Sequence, residues 1–242
     1  MKSIKYLIPN FFTSLSLLSA LIAIHYISIG EFILAPWLIM FSMICDFLDG
    51  KFARILDAAT PFGALFDTMS DFVAFGIAPA FLIYQVSLYR IPFLGALVTI
   101  IFVFSGCFRL VRFSLRNNDI HKKSSFIGLP IPIAAGFISS SVILSLRTWN
   151  QIPDDNIFMI IVFLISILMI SRIEYLTIEQ DTLYRKNFRF LFALFLISAV
   201  VTFKYFYIAI LFWITSYILF CLLRHIFVFI LNKQRFLKRN TG

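Results

Sequence analysis

Eight apolar stretches of near-bilayer length follow one another along this chain, at approximately 7–29, 32–54, 61–86, 91–113, 126–147, 155–171, 187–203 and 205–229. A helix crosses the hydrocarbon layer with about 20 mostly apolar residues, and in lipid every backbone polar group has to be satisfied within its own segment. Such a series leaves little choice besides a bundle of membrane helices. The composition agrees, since 61% of the 242 residues are hydrophobic and only 14% are charged. That is too few charges to coat a soluble globule of this size. No soluble domain or low-complexity linker interrupts the series. The spacing therefore predicts one all-α polytopic membrane domain over residues 1–242 with about eight transmembrane helices, or six if the C-terminal stretches divide differently. The boundary between the last two rests mainly on Lys204.

The net charge of +9 would suit a nucleic-acid partner on a soluble protein. Here the bases sit between apolar runs, where they act as topology signals, so no nucleic acid is expected. One set of helix ends gathers Lys2, Lys5, Lys51, Arg54, Arg109, Arg112, Lys122, Lys123, Arg172 and the run Lys233 to Arg239, while the other holds only Arg90, Arg147 and Lys204. That asymmetry puts both termini, and the segment from Lys51 to Thr60, on the cytoplasmic side of the cell (inner) membrane. The basic C-terminal run reads as a tail for anionic headgroups. The first apolar run is long enough to remain as a span rather than a cleaved signal. Cys45, Cys107 and Cys221 lie in apolar runs without paired spacing and read as buried small hydrophobes. His25, His121 and His225 show no ligand spacing, and the 31 phenylalanines read as packing or lipid-facing side chains.

The carboxylates are the exception to this apolar pattern. The second stretch ends Cys45-Asp46-Phe47-Leu48-Asp49-Gly50-Lys51-Phe52-Ala53-Arg54, and the third begins Thr60-Pro61-Phe62-Gly63-Ala64-Leu65-Phe66-Asp67-Thr68-Met69-Ser70-Asp71. Thr60 fits an N-cap and Pro61 the first helical position, so the connection is short and the two helices are expected as antiparallel neighbours. Asp46, Asp49, Gly50 and Ala53 recur at i, i+3, i+4, i+7, and Gly63, Asp67 and Asp71 at i, i+4, i+8, so each set shares a helix face. Asp71 sits roughly 15 Å along its helix axis, where a bare carboxylate costs several kcal/mol unless it faces a polar cavity. Four facing carboxylates repel and need cations between them. Oxygen-only ligands favour hard ions such as Mg²⁺, Mn²⁺ or Ca²⁺. Pairing with Lys51 and Arg54 would explain one such aspartate but not four at this spacing. A cation path would spread its acids along a pore and over several helices. Acids gathered near one side, beside glycines, suit metal-assisted phosphoryl chemistry instead.

The pattern Asp46-x2-Asp49-Gly50-x2-Ala53-Arg54-x8-Gly63-x3-Asp67-x3-Asp71 resembles the signature of the CDP-alcohol phosphatidyltransferase family at every fixed position and in both gaps. The resemblance implies transfer of a phosphoalcohol from a CDP-alcohol to a second alcohol with release of CMP. It implies two divalent metals, Mg²⁺ or Mn²⁺, on Asp46, Asp49, Asp67 and Asp71, with Asp71 as general base. It also implies a CDP-lipid pocket lined by Gly50, Ala53 and Arg54, and a homodimer. Gly63 joins that lining through the signature face. Asn10 could hydrogen-bond cytidine or phosphate, or simply cap a helix start. Arg109 and Arg112 could clamp a donor phosphate or an acceptor carboxylate, or anchor a helix end.

Three further stretches resemble the serine-using branch of that family: Pro9-Asn10-Phe11-Phe12-Thr13, Arg109-Leu110-Val111-Arg112-Phe113 and Phe126-Ile127-Gly128-Leu129-Pro130-Ile131-Pro132-Ile133-Ala134-Ala135. The chain departs from the pattern at Ser16 and Ala20, where that branch has asparagine and glycine, and at Ile131, where it has serine. The expected reaction joins CDP-diacylglycerol and L-serine into phosphatidylserine and CMP. The rivals are another acceptor (glycerol 3-phosphate, inositol phosphate or choline), a cation transporter, or an inactive scaffold.

Overall fold

The computed structural model describes residues 2–117, 126–149, 154–175 and 206–240. They form α1 (Lys2–Ser28), α2 (Leu34–Ile55), α3 (Pro61–Asp71), a π-helical segment (Phe72–Ile77), α4 (Ala78–Val86), α5 (Pro92–Asn117), α6 (Ile131–Thr148), α7 (Asp155–Ile170) and α8 (Phe206–Asn240). A two-residue antiparallel ladder, β1 (Phe126–Ile127) with β2 (Glu174–Tyr175), is the one non-helical pairing among the described residues. Among the described residues, five spans are long and apolar enough to cross a membrane: Lys5–Ser28, Pro61–Val86, Pro92–Leu115, Ile131–Thr148 and Tyr207–Phe227. Helix α2 has the length but carries Asp46, Asp49, Lys51 and Arg54 near its end, and α7 is shorter. The expected seventh stretch, 187–203, lies outside the described residues, as do Lys122, Lys123 and His121.

The outer face is apolar, with Phe93, Phe104, Phe212 and Phe227 all well exposed. The inner positions instead favour small or hydroxylated side chains. This distribution suits lipid as the solvent, where close backbone approach and interhelical hydrogen bonds replace the hydrophobic effect between helices. Helix α1 shows it most clearly. It packs along α2 and also against α3, the π segment and α4. Ala20, Ala23, Ala35 and Ile39 are fully buried there. The Ser16 hydroxyl donates to the Ser42 carbonyl (3.1 Å) and the Ser42 hydroxyl donates back to the Ser16 carbonyl (2.9 Å). The Ser19 hydroxyl donates to the Leu38 carbonyl (2.8 Å) and Ser70 of α3 to the Thr13 carbonyl (3.2 Å). Ser16 and Ala20, departures from the family pattern, are thus small residues at a tight seam.

Two expectations need correction. Helices α2 and α3 are consecutive, but they make almost no direct backbone contact; α1 holds both, leaving a cleft between them. Opposed carboxylates require that room. The fifth stretch does not begin at 126, because Gly128 adopts φ +81 and Pro130 stands outside the helix as its N-cap, so Phe126 and Ile127 join the ladder and α6 starts at Ile131. Ile131, the third departure, is fully buried and reaches the notch beside Gly106 of α5, where a Cβ would come within 2.6 Å of it.

Helix α2 stops in a Schellman turn. The Ala58 amide donates to the Ala53 carbonyl (2.9 Å), the Asp57 amide to Arg54 (3.4 Å), and Asp57 takes φ +48. Helix α3 starts as the sequence predicts: the Thr60 hydroxyl accepts from the Gly63 amide at 3.0 Å, with Pro61 at the first position. The π segment was not foreseen. Pro79 is the cue, since it lacks an amide and its ring would strike a carbonyl one α-turn back; the Ala78 amide bonds Val73 instead, widening the turn.

The α1–α2 seam yields a prediction. Ser42→Ala removes one interhelical hydrogen bond and should lower stability by about 0.6 kcal/mol, whereas Ser42→Leu overpacks the seam and should cost about 1–3 kcal/mol. Reversible unfolding in mixed micelles measures both; equal losses would contradict the seam.

Candidate active site

Each face of the cleft presents its acids because of the helix ends just described. The cap at Thr60 sets the phase of α3, which points Asp67 toward α2. The Schellman turn ends α2 at Ile55, one residue after Arg54, without disturbing the face that bears Asp46 and Asp49. Carboxylate oxygens of Asp46, Asp49 and Asp67 lie within 4.8 Å of one another. Asp49 is 5% exposed, and its Oδ2 atom is buried without a hydrogen-bond partner. Thr13 of α1 flanks it. An orphaned, buried carboxylate oxygen within a three-acid set of hard oxygen donors fits a divalent cation. Asp71 does not join that set directly; its carboxyl reaches that of Asp46 from deeper in the cleft, at the last position before the backbone widens into the π segment.

The predicted pocket lining divides by its surroundings. Gly50 borders open space, with nothing within 4 Å of where a Cβ would be. Gly63 is a close approach: a Cβ there would meet Thr60 Oγ1 at 3.0 Å and Asn10 Oδ1 at 3.3 Å. Asn10 is therefore inside α1 and leans over the start of α3, which excludes the helix-start cap. Ala53 is half-buried one turn from the cleft, and Arg54 turns its Nε toward the Gly50 carbonyl (3.2 Å).

The two arginines of α5 part company. Arg109 is 6% exposed and its guanidinium faces Asp71 and Asp46, with Phe113 beneath it at 5.7 Å. Among the described residues no carboxylate comes within ion-pair distance of it. Arg112 points away and donates to the carbonyls of Ile170 (2.9 Å), Ser171 (3.3 Å), Ile127 (2.6 Å) and Met169 (3.0 Å). Its guanidinium ties these chain segments together. Sequence reasoning passed over Tyr217 of α8, which lies near Arg109, and Tyr175 of β2, whose ring is 6.2 Å from that of Tyr217. The Tyr175 hydroxyl is buried without a partner, and burial pushes its ionisation above the ordinary phenol range, so it stays neutral. Both tyrosines lie beyond the signature, and no local pattern marks them.

Acids gathered from two helices in this way could hold a divalent cation, and comparison with known proteins gives the family. The CDP-alcohol phosphatidyltransferase profile matches residues 6–170, and the chain belongs to that family. It is 36% identical over 171 residues to a CDP-diacylglycerol–serine O-phosphatidyltransferase of Helicobacter pylori, covering 70% of this chain and 72% of the relative. It is 36% identical over 168 residues to the Bacillus subtilis enzyme of the same name, covering 69% and 89%. It is 35% identical over 199 residues to that of Methanocaldococcus jannaschii, covering 82% and 86%.

The cluster predicts a metal phenotype. Asp67→Ala breaks the three-oxygen set and should weaken Mn²⁺ binding more than about tenfold. Asp57→Ala, exposed and outside the set, should leave it unchanged. Mn²⁺ titration of purified protein by electron paramagnetic resonance reads both.

Proposed function

We propose that this chain transfers the phosphatidyl group of CDP-diacylglycerol to L-serine, giving phosphatidylserine and CMP, at a cleft open to the cytoplasmic face of the inner membrane. The observation that carries the acceptor class is Arg109. A buried guanidinium that has no ion-pair partner among the described residues is expensive unless an anion completes it, and it stands beside Asp71, the deepest carboxylate of the cleft. A small molecule with a hydroxyl and an anionic group close together would engage both at once. Serine has that form, and the names of the relatives point the same way. Glycerol 3-phosphate and inositol phosphate also offer an anion and stand as the second reading. Choline offers none, which disfavours it. The family resemblance extends the proposal to a homodimer.

Asp46, Asp49 and Asp67, with Asp71 behind them, would hold the divalent ions, Mg²⁺ or Mn²⁺. When bound, such ions supply positive charge against a pyrophosphate and a departing phosphate. The protein's own groups do the rest. Asn10, Gly50, Ala53, Gly63 and Arg54 line the place of the CDP moiety, where small side chains admit the nucleotide and Arg54 adds charge. Asp71 takes the proton from the serine hydroxyl. The freed oxygen attacks the phosphorus that carries diacylglycerol, the bond to CMP breaks, and CMP leaves with the electron pair. Arg109 holds the serine carboxylate so that the hydroxyl meets Asp71.

Purified protein supplied with CDP-diacylglycerol, Mn²⁺ and radiolabelled serine should form labelled lipid and CMP in equal amounts. Release driven by glycerol 3-phosphate and not by serine would replace serine as the acceptor. Asp71→Asn should fold in membranes yet lose about 10²–10⁴-fold in turnover; near-normal turnover would remove Asp71 as base.

A further inference from the structure

Arg112 sits one helical turn beyond Arg109 on α5, and its four carbonyl partners come from two separate parts of the chain. Met169, Ile170 and Ser171 lie at the C-terminal end of α7, where helix carbonyls lack intrahelical donors and the dipole favours a cation. Ile127 lies in β1, just before α6. One guanidinium therefore ties the end of α7 to the entry of α6. The tie is reinforced by the Gly128 amide donating to Ile173 (2.8 Å), the Leu129 amide donating to Leu168 (3.0 Å), and the β1–β2 ladder. Gly128 is required twice over: its φ is +81, and a Cβ there would overlap both Arg112 Nη2 and the Met169 carbonyl oxygen.

This strap does not end in solvent. The ladder sets Tyr175 opposite Phe126, and Tyr175 is 1% exposed. Its ring packs against Tyr217 and its hydroxyl lies near Cys221, one turn further along α8. Tyr217 in turn neighbours Arg109. A continuous path thus runs from Arg112 through the strap to Tyr175, Tyr217 and Arg109, and it reaches the carboxylates at Asp71 and Asp46. A bare topology charge at position 112 would need none of these contacts, and a lysine would serve as well.

We propose that Arg112 is a positioning residue for the acceptor half of the cleft: its carbonyl clamp fixes the strap that seats Tyr175 and Tyr217 against Arg109. The inference rests on the reading of Arg109 as the acceptor's anion partner. It assigns Tyr217 and Tyr175 to the wall behind that subsite, outside the stretch matched by the family profile.

The test uses full-length protein in mixed micelles and two variants, Arg112→Lys and Gly128→Ala. Amide hydrogen exchange at Gly128 (residue 128 in either variant) and Leu129 reads the clamp without any substrate. Steady-state kinetics read KM for serine and for CDP-diacylglycerol separately. Both variants should lose exchange protection, and both should raise the serine KM about ten- to a hundredfold with less than a twofold change in the CDP-diacylglycerol KM. Wild-type behaviour of Arg112→Lys in both readouts would overturn the proposal in favour of a simple charge anchor. Lost protection with both KM values unchanged, or raised alike, would overturn it in favour of a purely structural strap. If the wild-type protein ignores serine, the acceptor reading of the preceding section fails. The same comparison is then made with whichever alcohol drives CMP release, and a selective rise in that alcohol's KM supports the clamp while an unselective one overturns it.

Discussion

Four carboxylates facing an apolar bundle define the problem that the rest of this structure answers. Each loses hydration on entering the cleft, and each repels the others, so the folded chain is stable around them only if the cleft stays wide enough for cations and rigid enough to hold its shape. The chain achieves this by separating the acid-bearing helices and giving the load to α1. Hydroxyl-to-carbonyl bonds from Ser16, Ser19, Ser42 and Ser70 fasten α1 to both sides. These bonds lie where lipid offers no competing water. The buried Oδ2 of Asp49 has no hydrogen-bond partner among the described residues, and a divalent cation would fit there.

The two arginines of α5 show how position on a helix divides one residue type between two tasks. Arg109 and Arg112 are three apart, and both end a span. The turn between them carries one guanidinium into the acidic cleft and the other to the carbonyls at the end of α7. Arginine is suited to each for a different reason. Its charge survives burial beside the acids, and its fan of N–H donors can serve several carbonyls at once. Lysine would keep the charge in both places and the geometry in neither.

The departures from the family pattern have packing explanations. Ser16 and Ala20 are buried in the α1–α2 seam, where Ser16 forms a reciprocal hydrogen-bonded pair with Ser42. Ile131 occupies space left by Gly106.

What the sequence by itself determined was set by short-range rules. Apolar length specified membrane helices, Thr60 and Pro61 specified where α3 begins, and the i, i+3, i+4 spacing grouped the aspartates and small residues by face. Those properties depend on neighbours within a turn or two, so they can be read from order alone. The tertiary structure decided what depends on residues far apart. It opened α2 from α3 through the packing of α1, set the π segment after Asp71, delayed the start of the expected fifth helix to Ile131 by pairing Ile127 with Glu174, and gave Arg112 to the strap while leaving Arg109 in the cleft. It also brought Tyr175 and Tyr217 to the site from beyond the signature. Each of these outcomes follows from contacts between segments separated by tens of residues, where hydrogen-bond partners and free volume, and not local periodicity, choose the arrangement.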